Sequence, residues 1–486
     1  MNIAARYDGI VIGAGIAGLT AAARMAACGM RVLVLERHIV PGGCASFYQR
    51  NGYRFDVGAT LVGGFGARGV HTRIFAEFGV DVPARRLDPA MVVYLGEQRV
   101  VRYGDGRWPV ERVGAFGAAS EAFWRTQERI ADLAWDFSAR LPALPVDASG
   151  LRAFAAALRP SHLGLLPALG RTVASIMPAG SALLRTFVDV QLLITAQCDA
   201  SAADLAYGST ALDLAREGTF HIDGGVAAIA VALARVVRRQ GSAIAYGRTA
   251  TRIAVRRGRV CGVTLQDGSF VAAPCVVSAL PIQNAVDLCD ELREGFAPKL
   301  AALPQRWGAF MVYAGLAPGA IPDSAELHHQ VVLDPTRPLG EGNSAFISLS
   351  APGERGRARD GGRALTLSTH TDVALWERVA RDGGLEELRA RYVARLLRSL
   401  ERCFPGATRS ATLIDSATPL TFRRYTGRSR GLVGGAPQLP ASATLGAFSH
   451  HSPVRGLFLC GDTTFPGQST VGASLSGNIA GRAAAS

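Results

Sequence analysis

The first eighteen residues contain Gly13-Ala14-Gly15-Ile16-Ala17-Gly18, a Gly-x-Gly-x-x-Gly turn set between an apolar run over 7–12 and a stretch of small residues over 19–27. No other feature restricts the fold as much. The first glycine allows a tight turn, the second lets backbone approach a pyrophosphate, and the third lets a helix pack closely on a strand. The backbone of Ile16 and Ala17 then opens a helix whose N-terminus faces the phosphates. A second apolar, β-branched run over 31–35 ends at Glu36, placed to accept both hydroxyls of an adenosine ribose. An acid there disfavours a phosphorylated ribose and so argues against NADP. Strand, helix, strand and acid together predict a βαβ dinucleotide-binding unit at the start of an α/β fold.

Gly64-Phe65-Gly66-Ala67-Arg68-Gly69 matches the same pattern. No comparable strand leads into it and no acid-ended strand follows, so it is read as a flexible loop and not a second nucleotide site.

The choice between NAD and FAD comes from the other end of the chain. A short strand over 456–460 runs into Gly461-Asp462, and a loop over 466–473 opens the final helix. Asp462 can hold the hydroxyls of a ribityl chain. The amides of Val471, Gly472 and Ala473 can face the edge of a flavin ring where negative charge develops on reduction, a place a helix N-terminus stabilises. Nicotinamide cofactors have no ribityl chain, so this return points to FAD.

Composition narrows the remaining classes. Of 486 residues, 49% are apolar and 19% charged, which suits a globular protein of two or three units. The net charge of +13 comes from arginines scattered along the chain, with Lys299 the only lysine. That spread reads as a coding bias or as a surface suited to anionic membrane, not as a nucleic-acid tract. A lone lysine also argues against Schiff-base chemistry. The eight cysteines form no Cys-x-x-Cys pair and no metal spacing, so they are read as buried free thiols in a reducing cytoplasm, and no metal site is expected. The N-terminus shows no basic-then-apolar leader. The best candidate for a span, between Arg171 and Arg185, is too short and contains Pro178. A cytoplasmic protein, soluble or peripheral to a membrane, is expected.

Along the chain, 1–80, 215–284 and 446–486 read as a discontinuous FAD-binding domain, with 81–112 and 285–445 as a mixed substrate-binding domain. Residues 113–214 read as a helical cap, broken by Pro142, Pro145, Pro160, Pro167 and Pro178, that could face a membrane. A helix over 226–240, strands over 243–255, 260–265 and 275–279, and an exposed Arg- and Gly-rich loop over 352–362 are expected.

Several stretches carry a family resemblance. They are Val40-Pro41-Gly42-Gly43, the run from Gly52-Tyr53-Arg54-Phe55 to Asp56-Val57-Gly58, the run from Phe220-His221-Ile222 to Asp223-Gly224-Gly225, Thr418-Pro419 with Tyr425-Thr426-Gly427-Arg428, and Gly461-Asp462 through Pro466-Gly467-Gln468. With the opening βαβ unit, the chain resembles the carotenoid desaturase and isomerase branch of the FAD-dependent amine oxidase and phytoene desaturase superfamily. Residues 189–197 and 211–214 are similar to carotenoid 3,4-desaturases of the cyanobacterial type. The resemblance implies a Rossmann-like, amine-oxidase-type FAD domain with an inserted mixed α+β substrate domain and a helical cap. It places Gly42 and Gly43 along the FAD pyrophosphate and the strand backbone at Ala250 against the adenine. Many relatives carry a basic residue after the glycine pair; here it is Cys44, which leaves Arg37 or another arginine to balance phosphate charge. Cys44 itself reads as a small packed residue.

The implied reaction removes a hydride from a lipophilic polyene to flavin and a proton to a base. Candidates for the base or for a pocket role are His221, Asp223 and Glu217, with Arg424 beside Arg423 and Tyr425; each has an equally ordinary structural reading. Without a second dinucleotide motif, oxygen or a membrane quinone is the expected electron acceptor. Three readings stay open: a desaturase acting near the end of an acyclic carotenoid, or its isomerase variant; an amine-oxidase-like enzyme; and a non-enzymatic isoprenoid-binding escort.

Overall fold

The computed structural model describes residues 6–140 and 148–486. Pro142 and Pro145 lie outside the described residues, as do the first five residues on which the reading of the N-terminus partly rests.

Strands Gly9–Ile12 and Val32–Glu36 are buried along their whole length, which explains why they are apolar at every position and do not alternate. They form the middle of a five-stranded parallel sheet whose order is Leu457–Leu459, Cys275–Ser278, Gly9–Ile12, Val32–Glu36, Ala243–Tyr246. Chain ends separated by more than 440 residues therefore share one sheet. Helix Ile16–Ala27 packs on this sheet and against the closing helix Ser469–Ala485. Their close approach depends on Gly477 and Gly481, where an added Cβ would lie 2.1 Å from the Ala17 carbonyl oxygen and 2.7 Å from that of Ala21.

The strand expected over 243–255 is two strands. Ala243–Tyr246 completes the parallel sheet, and Ala250–Arg256 begins a separate antiparallel ribbon with Arg259–Leu265 and Phe270–Ala272. Gly247, with φ at +64°, turns the chain between them, and the Arg248 amide donates to the Glu36 carbonyl to hold the corner. Periodicity alone does not reveal a corner inside an otherwise continuous β-prone run.

A second, seven-stranded sheet has the order Ala411–Ala417, Trp307–Leu316, Arg363–Asp372, Ser344–Leu349, His328–Val332, Met91–Leu95, Gln98–Arg102. All neighbours are antiparallel except His328–Val332 with Met91–Leu95. One face packs on helices Val373–Asp382 and Leu385–Cys403 through a core that includes Phe310, Trp376 and Tyr392. Helices Trp108–Phe116, Glu121–Ser138, Ala182–Ala196 and Leu205–Leu212 gather around Trp124 and Phe187 in their own apolar cluster. Among the described residues, no helix is long and apolar enough to cross a membrane.

Two expectations need correction. The loop over 352–362 is not simply exposed: Arg357 and Glu354 turn inward, Arg357 pairing with buried Asp56 at 2.9 Å and Glu354 with His221 at 3.1 Å. A glycine-rich run suggests solvent, but these two charges have buried partners waiting on other elements. All eight cysteines are free as expected, yet Cys28 and Cys261 are exposed. Cys28 sits at the end of the first helix, and Cys261 points outward from its ribbon strand, where side chains alternate between faces.

Candidate functional site

Parallel strands present all their C-terminal ends at one edge, and ligands of open α/β sheets bind outside that edge. Here that edge delivers Gly13, Glu36, Ala279 and Gly461, all of which line a single cleft of about 940 Å³. Its size falls in the range of about 300–1,000 Å³ usual for ligand sites.

At the nucleotide end, Gly18 is packed so closely that an added Cβ would meet the Gly13 carbonyl oxygen at 2.0 Å. Gly15 is the opposite case: nothing lies within 4 Å of where its Cβ would be, so its face opens into the cleft. The cradle of Gly13, Gly15, Ile16, Ala17, Gly42 and Gly43 thus leaves bare backbone where a pyrophosphate could rest, at the N-terminus of Ile16–Ala27. Glu36 is buried at the rim, accepting from the Ala14 amide at 2.7 Å and the His38 amide at 2.8 Å. These bonds fix its carboxylate, and each oxygen keeps acceptor capacity for a ribose.

In the middle of the cleft, Cys44 lines the wall after the glycine pair. Burial pushes its thiol pKa up, with neighbouring Arg428 opposing the shift, so it is held as an uncharged thiol. The buried arginine beside the glycine pair is Arg428, which pairs with Asp462 at 2.8 Å. Arg37 sits elsewhere: it packs over Gly427 on the outside, donating weakly to the Arg424 carbonyl at 3.4 Å. Ala250 also lies off the cleft, in the antiparallel ribbon.

The closing helix aims its N-terminus into the cleft. Ser469, Thr470 and Ala473 line it, whereas Val471 packs beneath against Gly63 and Gly64, and the Gly472 amide is taken by Ser469 Oγ at 3.1 Å. Asp462 and Gly461 face the cleft from the strand end.

The far end is built by one face of the seven-stranded sheet. Ala309, Met311 and Tyr313 alternate along their strand, opposite His370 and Ser368 on one side and Ala417 and Asp415 on the other. Leu61, Ile194 and Phe346 add apolar wall, and Gln197, His370 and Gln468 add a small polar group.

Of the four candidates for catalysis, only Arg424 lines the cleft. His221 is buried in strand Thr219–Ile222 against Glu354, Asp223 is exposed, and Glu217 ends a short helix. Lys299 is also remote, donating to the Ala447 carbonyl at 3.1 Å and lying over the Phe448 ring. Sequence reasoning missed Arg428, although it had singled out Tyr425-Thr426-Gly427-Arg428, and missed Gln197 and His370, which carry no local signal. The loop over 64–69 follows no strand and leads into helix Val70–Phe78.

A family model described as an NAD(P)-binding Rossmann-like domain matches residues 11–78. Prolycopene isomerase, chloroplastic, from Arabidopsis thaliana is 29% identical, the match covering 97% of this chain and 81% of that protein. Phytoene desaturase (neurosporene-forming) from Cereibacter sphaeroides is 26% identical, covering 95% of this chain and 92% of that protein. The solved structure of cyclohexylamine oxidase from Brevibacterium oxydans superposes with a TM-score of 0.63 at 16% identity, covering 99% and 98% of the two chains, a likeness of fold.

Proposed function

We propose that this chain, a relative of the carotenoid desaturases and isomerases over nearly its whole length, is an FAD-dependent enzyme that desaturates an acyclic carotenoid near its end. The observation that carries this reading is the continuity of the cleft. It begins at the bare backbone of Gly13, Gly15, Gly42 and Gly43, passes the N-terminus of Ser469–Ala485, and ends at apolar wall from Leu61, Ile194, Met311 and Phe346. A dinucleotide and a hydrocarbon can therefore lie end to end in one space.

The chemistry that FAD supplies when bound is acceptance of a hydride from carbon. Glu36 would hold the ribose, the glycine cradle the pyrophosphate, and Asp462, fixed by Arg428, the ribityl hydroxyls. The helix N-terminus would stabilise negative charge at the ring edge. The apolar sheet face would exclude water and align the polyene.

Isomerisation is the second reading, favoured by the likeness to prolycopene isomerase. The narrower pattern of carotenoid 3,4-desaturases rests on residues 189–197 and 211–214 alone. Expression in cells that accumulate lycopene and its precursors separates these readings. Loss of a pair of hydrogens with a red-shifted pigment is expected; a spectral change at constant mass would select the isomerase, and unchanged pigments would sink both.

The electron acceptor in this reading is oxygen or a membrane quinone, since 64–69 is a loop without the strand a second nucleotide site needs. Contact with a lipid surface fits Leu158, Leu163, Leu166 and Leu169, which are exposed around the turn Pro160–Ala168 between Arg159 and Arg171. Replacing Leu163 and Leu166 together by Ser should weaken co-sedimentation with anionic vesicles by about tenfold or more; undiminished binding would remove this surface from the account.

A further inference from the structure

We infer that the substrate presents a hydroxyl group to two glutamine carbonyls, those of Gln197 and Gln468, in the apolar half of the cleft. The inference rests on the carotenoid reading above and narrows its substrate class to polyenes bearing a protic end group.

Both side chains line the cleft and each is only 5% exposed. The Gln468 amide nitrogen donates to the Ile194 carbonyl at 2.9 Å, and that of Gln197 is 3.0 Å from His370 Nε2. Their carbonyl oxygens are buried and have no donor. The arrangement is not undone by exchanging oxygen and nitrogen in Gln468, because that would set two carbonyl oxygens against each other at Ile194. For Gln197, His370 must accept and so must be uncharged; burial pushes its pKa down to about 4, which keeps it so at neutral pH.

The two amides converge. Gln197 Nε2 and Gln468 Oε1 would lie 2.2 Å and 2.7 Å from a Cβ at Gly434, so a side chain there would displace them. Around them the wall is hydrocarbon: Leu61, Ile194, Met311 and Phe346. Buried acceptors are seldom left without a donor. Two of them, fixed by their own donated hydrogen bonds at one place in an apolar cleft, fit a long hydrocarbon that carries a single O–H.

The test uses the FAD-loaded full chain with lycopene and with its monohydroxylated derivative, each in detergent micelles, reading affinity by quenching of tryptophan and flavin fluorescence. The wild-type protein should bind the hydroxylated polyene about tenfold more tightly. Gln468→Met and Gln197→Met should each shrink that preference to about threefold or less while flavin content and affinity for lycopene stay unchanged. Equal affinities in the wild-type protein would overturn the inference, leaving water as what the two carbonyls hold. So would variants that shed flavin but keep the preference, since the carbonyls would then serve the cofactor. The wild-type comparison stands even where a variant fails to fold. Binding of neither polyene would instead overturn the carotenoid reading, and the inference with it.

Discussion

A methyl group at position 18 would press on the Gly13 carbonyl oxygen at 2.0 Å and the Ala279 methyl at 2.9 Å, neither of which can yield without moving the dinucleotide turn. Gly18→Ala should therefore cost about 1–3 kcal/mol and release flavin, read as a lower melting temperature and a colourless protein; a stable yellow variant would contradict the packing described. Buried histidines set a second expectation. Burial pushes the pKa of His71, His328 and His450 down to about 3 and that of His370 to about 4, against an ordinary 6.5. The unfolded chain then binds protons that the fold refuses, so stability is full above about pH 6.5 and is lost as pH falls toward 4. A melting temperature that is level from neutral pH upward and drops through this window is expected; one that is level down to pH 4 would deny that these rings are buried uncharged. At this scale the sequence is uneven. Gly13, Gly15 and Glu36 are legible because spacing alone defines their role. Arg37 and Arg428 are indistinguishable as letters, and only the path of the chain after Gly427 puts one outside and the other in the cleft.

Elements show the same division. The parallel strands announce themselves by unbroken apolar runs, and the closing helix by its glycine-rich approach. The corner at Gly247 and the inward turn of the 352–362 loop do not, because both are decided by partners far away in the chain: Glu36 for the first and Asp56 for the second. That second pairing ties three elements together. Asp56 Oδ1 accepts from the Val226 amide at 2.9 Å and Oδ2 from Arg357 at 2.9 Å, while the Arg54 amide donates to the Arg357 carbonyl at 2.8 Å. Gly225 is needed beside them, since a Cβ there would fall 1.8 Å from Arg357 Nη1. Arg357→Leu leaves the buried Asp56 carboxylate without its cation and should destabilise by about 3–5 kcal/mol, seen as a shift of the denaturation midpoint. A shift under about 1 kcal/mol, the usual worth of an exposed pair, would show the loop to be loosely attached.

In the whole molecule, the cleft exists only because segments from both ends of the chain close one sheet while the middle supplies another. The nucleotide half was readable as a local motif; the substrate half was not, since Met311, Phe346, His370 and Gln197 meet through strand register and a helix end with no shared pattern. Likeness to carotenoid enzymes names the chemistry, and the continuous cleft gives it a place. The most direct test is to mix the purified FAD-loaded protein with an acyclic carotenoid in the absence of oxygen and follow the flavin absorbance. The account predicts bleaching of the flavin together with a product lighter by a pair of hydrogens, in equal amounts. A flavin that stays fully oxidised, with every carotenoid offered recovered unchanged, would contradict it.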